Sequence, residues 1–390
     1  MAKKIAIVTS HPIQYYAPLF RLLAKKVELK VFYTWGKEAL VKFDPGFGKK
    51  VEWDIPLLDG YDYQYLENVS KVPGSHHFKG IINPSITTEI SDYNPDAIMV
   101  IGWGYDSHLK VIRYFKGKKP LYFRGDSTLL DNNNEGISGK LKNLLRRIFL
   151  AWVYSHVDKA FYVGEESKLY FKWALLKEAQ LVFSPHSIDN SRYEIDHTEK
   201  ANELRNSLSI SNSDRVILFA GKFENKKDPL LLLNAFINAS THSLHLLFIG
   251  NGELEVKLKQ VANESSKVLF IHFLDFQNQS MMPIWHQMAD VFCLPSKGPA
   301  ETWGLAVNEA MASGKAIIVS DKVGCAKDLV KKNSNGWIFK SENVLELQQI
   351  IENLPDKNRL KELGLGSKKI IQNWTVNNTA QKMINEWEAL

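Results

Sequence analysis

LPSKGPAETWGLAVNEAMASGKAIIVSD, residues 294–321, reads as a strand end, a loop, a helix and a fresh strand. The helix is expected over Trp303 to Ala312, ended by Gly314. The first N–H groups of a helix have no partner within it and sit at the positive end of its dipole. Gly304 and Leu305 therefore form an anion site, and a side chain at Gly304 would obstruct a phosphate. Glu301 in the loop and Glu309 on the helix are eight residues apart, roughly 12 Å if all were helical. A diphosphate at the helix start would have one carboxylate on either side. Carboxylates accept paired hydroxyls, so one suits a ribose and the other a hexose. As isolated acids, Glu301 and Glu309 would read as a solvated loop residue and a helix-face residue; the strand–loop–helix around them reverses that reading.

Outward from this stretch, short β-branched runs alternate with helical patterns along the whole chain. The first half offers strands at Lys4–Thr9, Val27–Tyr33, Ala97–Ile101, Leu121–Phe123, Lys159–Val163 and Leu181–Phe183. The second offers Val216–Ala220, Leu244–Ile249, Val268–Phe273, Val291–Leu294, Ala316–Val319 and Trp337–Phe339. Apolar strands separated by helices mean parallel sheets covered on both faces. The expected fold class is α/β, two doubly wound Rossmann-like domains facing a cleft, with ligands at the carboxyl ends of the strands. The boundary falls in the polar segment Phe183 to Asp214, giving domains 1–187 and 188–373. The segment from Gly36 to Gly80, rich in glycine and proline around Pro45, Gly46 and Gly48, reads as a strand or two plus long loops of functional character.

Absent motifs narrow the chemistry. SHPIQYYAP follows the first strand where a dinucleotide fold carries GxGxxG, and no GxxxxGK[ST] or Asp-x-Asp occurs. The net charge of +6 lies in residues 1–190, which hold 26 basic and 20 acidic side chains, and residues 191–390 balance. That suits an anionic ligand or membrane surface and falls short of a nucleic-acid footprint. Two cysteines form no disulfide framework or zinc site, and no apolar run approaches a membrane span. The chain reads as cytoplasmic, reaching at most the inner face of the cell membrane. One basic amphipathic stretch, residues 138–157, sets Leu141, Leu144, Leu145, Ile148, Phe149 and Trp152 on one face and Lys140, Lys142, Arg146 and Arg147 on the other. It suits an anionic membrane, but the strand that follows at once favours a core helix with a solvated basic edge.

ETWG followed by NEAMASG resembles the Glu-x7-Glu signature of retaining glycosyltransferases of family 4, which have the two-domain GT-B architecture; here it runs from Glu301 to Glu309. AGKFENKKDPLLLLNAF (220–236) resembles that family's Gly-Arg-x-x-x-x-Lys segment, with Gly221, Lys222 at the Arg position and Lys227 at the Lys. FIGNGELEVKL (248–258), with Gly250, is similar to its Gly-x-Gly turn; MADVFCLPS (288–296) and SPHSID (184–189) stand in the matching order. The resemblance implies that Lys222 and Lys227 neutralise the departing diphosphate, Lys acting as a point charge without the planar fork of Arg. It further implies that Glu309 binds ribose, that Glu301 binds the transferred sugar, and that Phe273, Leu274 and Asp275 touch the base. Trp303, Gly304 and Leu305 complete the donor set, and a helix over 374–390 crosses back to the first domain.

The first domain departs from the family pattern. Ser10 and His11, expected at the start of the helix after the first strand, offer donors to an anion or serve as an N-cap serine and a surface histidine. Relatives often place a His near the anomeric carbon. Here Ile101 or Gly102 stands there, and His108 falls on the next helix. Asp106 and Asp126 are candidates for orienting or deprotonating the acceptor, or else helix N-caps; Arg124, Trp103 and Tyr105 complete an acceptor side. The implied activity is metal-independent transfer from a UDP- or GDP-linked sugar to a saccharide or lipid-linked acceptor, with no cofactor. A sugar-nucleotide epimerase of similar shape and a non-catalytic binding subunit are the alternatives.

Overall fold

The computed structural model describes residues 2–37, 42–44, 49–132 and 136–390. Pro45, Gly46 and Gly48 lie outside them. The chain forms two compact units: Met1–Lys42, Ile55–His186 and Val376–Leu390 make the first, and Phe43–Asp54 with Ser187–Thr375 the second.

Strands β1 (Lys4–Thr9), β2 (Glu28–Tyr33), β3 (Lys42–Asp44), β4 (Lys49–Val51), β5 (Asp62–Tyr65), β6 (Ala97–Ile101), β7 (Leu121–Gly125), β8 (Lys159–Tyr162) and β9 (Leu181–Phe183) come first in the chain. Seven of them build the first unit's parallel sheet in the order β5-β2-β1-β6-β7-β8-β9, and β3 pairs with β4. The order reverses beside β1, so β1 and β6 diverge at their carboxyl ends and leave room for a ligand. Ile5, Ala6, Ile7 and Val8 are fully buried, as a strand covered on both faces requires. One face packs against the helix Val376–Glu388, whose Met383, Ile384 and Trp387 join Leu19, Phe20 and Leu23 in one core. The phenol of Tyr122 donates to the Glu386 carbonyl at 3.1 Å, and Thr379 donates to the Pro185 carbonyl at 2.9 Å. The last helix is thus part of the first unit's core.

In the second unit β10 (Arg215–Ala220), β11 (Leu244–Ile249), β12 (Ile271–Leu274), β13 (Val291–Leu294), β14 (Ala316–Ser320) and β15 (Gly336–Phe339) form a parallel sheet ordered β12-β11-β10-β13-β14-β15. The order reverses at β10 and β13, and the quoted stretch begins at the end of β13. Strand β12 starts at Ile271 rather than Val268, because Val268–Phe270 forms a 3-10 turn that leaves Leu269 in solvent.

The helix Gly136–Tyr154 corrects the sequence expectation. It is not a core helix over most of its length: none of residues 136–149 is buried, and only Leu150, Val153 and Tyr154 enter the core. Among the described residues no helix is long and apolar enough to cross a membrane.

Candidate functional site

In the second unit the helix of the quoted stretch runs Leu305–Ala312, two residues shorter at its start than expected. Gly304 is its N-cap in left-handed backbone, with φ of 93°. Trp303 therefore lies outside the helix; its indole donates to Asn308 Oδ1 at 2.9 Å and its ring packs on Trp374 at 5.1 Å. Trp303 is almost fully buried, so its contacts brace the loop, and a surface for the donor is not what this side chain offers. Glycine at 304 has a different reason from the one expected. A Cβ there would press on Val323 Cγ1 at 2.9 Å and Leu294 Cδ2 at 3.1 Å, on top of the strain of a positive φ. The C-terminal end matches expectation, with Gly314 donating to the Met311 carbonyl at 2.9 Å.

Glu301 and Lys227 meet directly. Lys227 Nζ donates to Glu301 Oε2 at 2.8 Å, and Ser296 Oγ donates to the same oxygen at 3.0 Å. Glu301 is only 8% exposed, so burial opposes its charge; Lys227, Lys226 and the Ser296 hydroxyl outweigh that and hold the carboxyl below its ordinary value. Lys227 ends the short turn Asn225–Lys227, which begins a few residues after β10. Its side chain crosses Gly221, where a Cβ would come within 3.3 Å of Lys227 Cδ. Lys222 follows Gly221 and is half-buried. Sequence reasoning missed Ser296, which orients Glu301, and Lys297, whose amide donates to the Lys226 carbonyl at 2.9 Å and whose Nζ lies 3.7 Å from Asp228.

The Gly-x-Gly turn holds the expected base loop. A Cβ at Gly250 would collide with the Gly221 carbonyl, so the ends of β10 and β11 approach as only glycine permits. Asn251 between the glycines donates to Asp275 Oδ1 at 3.0 Å and accepts from the Phe276 amide at 2.9 Å. Gly250 donates to the Leu274 carbonyl at 3.0 Å, and Phe273 stacks on Phe248 at 5.2 Å. Residues 52–54 of the same unit reach this loop as well. Trp53 packs edge-on to Phe276 at 6.0 Å, Asn278 donates to the Glu52 carbonyl at 2.6 Å, and Ser280 donates to Asp54. Glu309 is 3% exposed, on the helix Leu305–Ala312, with its Oε2 3.7 Å from the Nε2 of fully buried His286.

In the first unit the expected acceptor residues separate. Arg124 is 1% exposed, and its guanidinium donates to the Ser184 carbonyl, the Ser184 hydroxyl and the Pro185 carbonyl, each at 3.0 Å. It ties β7 to the chain beyond β9. Asp126, Trp103 and the glycines at 102, 104 and 125 line one cavity of about 360 Å³ together with Phe123, Phe149 and Tyr170. Trp103 donates to the Tyr154 phenol at 3.2 Å. Asp106 lines another depression, with Lys110 and Arg113, and occupies the first turn of the helix Asp106–Phe115 whose N-cap is Tyr105. Neither aspartate is an N-cap: the next helix after Asp126 begins at Gly136.

Ser10 and His11 are not at a helix start, because that helix begins at Ala17. Ser10 Oγ and His11 Nδ1 are 2.9 Å apart, and His11 meets Trp35 edge-on at 5.4 Å. Tyr105 donates to the Ser75 carbonyl at 3.2 Å; burial, working against its hydrogen bonds to Ser10 and Ser75, raises its phenol above the ordinary value. His108 falls on the next helix, as expected, and is fully buried. Its Nδ1 faces the Gly102 carbonyl at 2.8 Å and its Nε2 the Thr34 hydroxyl at 2.9 Å, and burial lowers it to about 4. His186, unremarked in the sequence, stacks near Tyr16 at 6.3 Å; burial and the Arg124 charge, opposed by Asp126, lower it to about 4.

A parallel α/β unit with glycine turns facing a Lys–Glu pair at its strand ends has known counterparts. Residues 200–366 match the family of glycosyl transferases group 1. An uncharacterized glycosyltransferase of Methanocaldococcus jannaschii is 29% identical over 143 residues, 36% of either chain. The alpha-monoglucosyldiacylglycerol synthase of Acholeplasma laidlawii is 28% identical over 184 residues, 46% of this chain and 45% of that one. The matched stretches thus span less than half the length of these relatives. Anabaena Alr3699/HepE, solved in complex with UDP and glucose, superposes with a TM-score of 0.74 over 100% of both chains at 15% identity, a likeness of fold. The similarity to the glycosyl transferases group 1 family thus lies in the second unit, and the fold is the two-domain GT-B fold.

Proposed function

We propose that this chain is a retaining glycosyltransferase that moves a sugar from a UDP- or GDP-linked donor to a saccharide or lipid-linked acceptor in the cytoplasm, in the building of a cell-surface glycan, without a metal or cofactor. The observation that carries the proposal is the buried Lys227–Glu301 pair within the segment that matches the transferase family. That the Anabaena neighbour was solved with UDP and glucose supports a UDP-sugar as the first donor to try.

In this reading Lys227, Lys222 and the first amides of the helix Leu305–Ala312 stabilise the charge that develops on the leaving diphosphate. Glu301 accepts from hydroxyls of the transferred sugar and Glu309 from the ribose, while Asn251 holds the 273–276 loop against the base. The bond from the anomeric carbon to the diphosphate oxygen breaks. The acceptor oxygen bonds to the same face, and its proton passes to the departing phosphate oxygen, so configuration is kept. Asp126, in the cavity floored by Trp103, Phe123 and Tyr170, orients the acceptor hydroxyl; aromatic faces suit the C–H faces of a sugar.

Incubating the full chain with a panel of UDP- and GDP-sugars and reading the products by mass spectrometry tests this. Release of free nucleotide diphosphate, with NMR of the glycoside showing retained configuration, is the expected result. Conversion of one nucleotide sugar into another would mean an epimerase, and binding without turnover a non-catalytic subunit; either overturns the proposal.

A further inference from the structure

The helix Gly136–Tyr154 is mounted with its apolar stripe outward. Ile137, Leu141, Leu144, Leu145, Ile148 and Trp152 recur at offsets of 4, 7, 8, 11 and 15 residues from the first, which places them on one face. All six are exposed, from 88% at Ile137 to 42% at Trp152, and Phe149 beside them is 42% exposed. The face turned to the protein carries Gly139, Asn143 and Arg147 before Leu150 begins the core contact. Arg147 Nε donates to the Trp173 carbonyl at 2.9 Å, and Arg146 donates to Asn132 Oδ1 at 2.7 Å while lying over Tyr170 and Trp173. Both arginines make these contacts within the unit, Arg146 while still exposed, and Lys140 and Lys142 stand exposed, one on each flank of the stripe. Arg113 stands over the Trp152 ring at 5.6 Å; Lys110, which donates to the Pro84 carbonyl, lies on the same helix, and Lys116 and Lys118 lie just after it.

We propose that this face docks on an anionic lipid surface. An exposed apolar patch of this size costs solubility unless something covers it. Leucine and isoleucine flanked by lysine, with a tryptophan at one end, match the acyl–headgroup boundary of a bilayer, and anionic headgroups complement the lysines. A second copy would bring two faces of the same positive sign together. The excess of basic residues in 1–190 agrees in sign with an anionic surface. Phe149 belongs both to this face and to the cavity of Asp126 and Trp103, so that cavity adjoins the docking surface.

Co-sedimentation of the full chain with vesicles of phosphatidylcholine mixed with phosphatidylglycerol tests this, against phosphatidylcholine alone. Binding to the mixed vesicles that weakens in high salt is expected. Leu144→Glu with Ile148→Glu should weaken it at least ~10-fold, and Lys140→Glu with Lys142→Glu should do the same through charge. Both double variants should melt as the wild type does and hydrolyse donor at its rate in the absence of vesicles. Equal binding to both vesicle types, no binding, or unchanged binding in either variant overturns the proposal, as does a dimer that the Leu144→Glu, Ile148→Glu variant dissolves. Bromine-labelled lipid gives an independent reading: it should quench wild-type tryptophan emission, and Trp152→Phe should remove most of that quenching. Quenching that persists unchanged in Trp152→Phe contradicts the docking pose.

Discussion

Glu301 shows how one buried ion pair links stability to chemistry. Its carboxyl, opposed by burial and held charged by Lys227, lies below the ordinary value in the folded chain. The pair therefore stabilises the fold above the ordinary carboxylate range, and that contribution is lost as pH falls through the depressed value. Lys227→Ala leaves a buried carboxylate without its main partner, at a cost of about 3 kcal/mol. Its melting temperature should drop at neutral pH and recover part of the loss in acid, where Glu301 takes up a proton. A melting curve that responds to pH as the wild type does would contradict the pairing. Asp126 and Asp106 separate by environment, one in the aromatic cavity and the other beside Lys110 and Arg113. Asp126→Asn should slow transfer to an acceptor at least ~10-fold with little change in donor hydrolysis; a larger loss in Asp106→Asn would reverse the assignment. Spacing alone did not separate them, because a sequence does not say which cavity a strand-end residue lines.

At the scale of elements, the turns after β10 and β11 are the rigid part of the site. Gly250, with φ of 145° and the Gly221 carbonyl against its missing Cβ, admits no larger residue without displacing β10. Gly250→Ala should therefore weaken UDP binding at least ~10-fold in calorimetry and cost about 1–3 kcal/mol of stability; near-normal values for both would show that the turn yields. These turns were legible in the sequence through the resemblance of 220–236 and 248–258 to family segments; their backbone cause is seen at Gly221, Gly250 and Gly252 in the structure. The parallel sheets were legible from the residues themselves, since runs such as Val216–Ala220 are apolar on both faces. The helix Gly136–Tyr154 was misread on the same logic. Its stripe has the spacing of a core helix, and amphipathic periodicity records that a face is apolar without recording what it faces. Arg124 was expected at a ligand because it is a charged residue at a strand end; a sequence does not say that its Nη1 and Nη2 reach three oxygens of residues 184 and 185. Ser10 and His11 were misplaced because the helix after β1 was expected to start at them, whereas it begins at Ala17.

For the whole molecule, four histidines held neutral by full or partial burial, His245 among them, make acid stability a distributed property. His108 and His186 in the first unit and His272 in the second are each lowered to about 4 by burial, from an ordinary 6.5. The unfolded chain binds protons at these sites before the folded chain does, so stability falls as pH drops from about 6.5 towards about 4. Thermal melts over that range should show a steady decline, and His108→Gln should flatten it; a flat wild-type profile would contradict the burial of these rings. The central claim is that the Lys227–Glu301 site of the second unit breaks the bond between a sugar and a nucleotide diphosphate. The most direct measurement is the rate of diphosphate release from a UDP- or GDP-sugar by the full chain beside its Lys227→Ala and Glu301→Gln variants. The site predicts turnover in the wild type and at least a ~100-fold loss in each folded variant. Wild-type rates in both would contradict it.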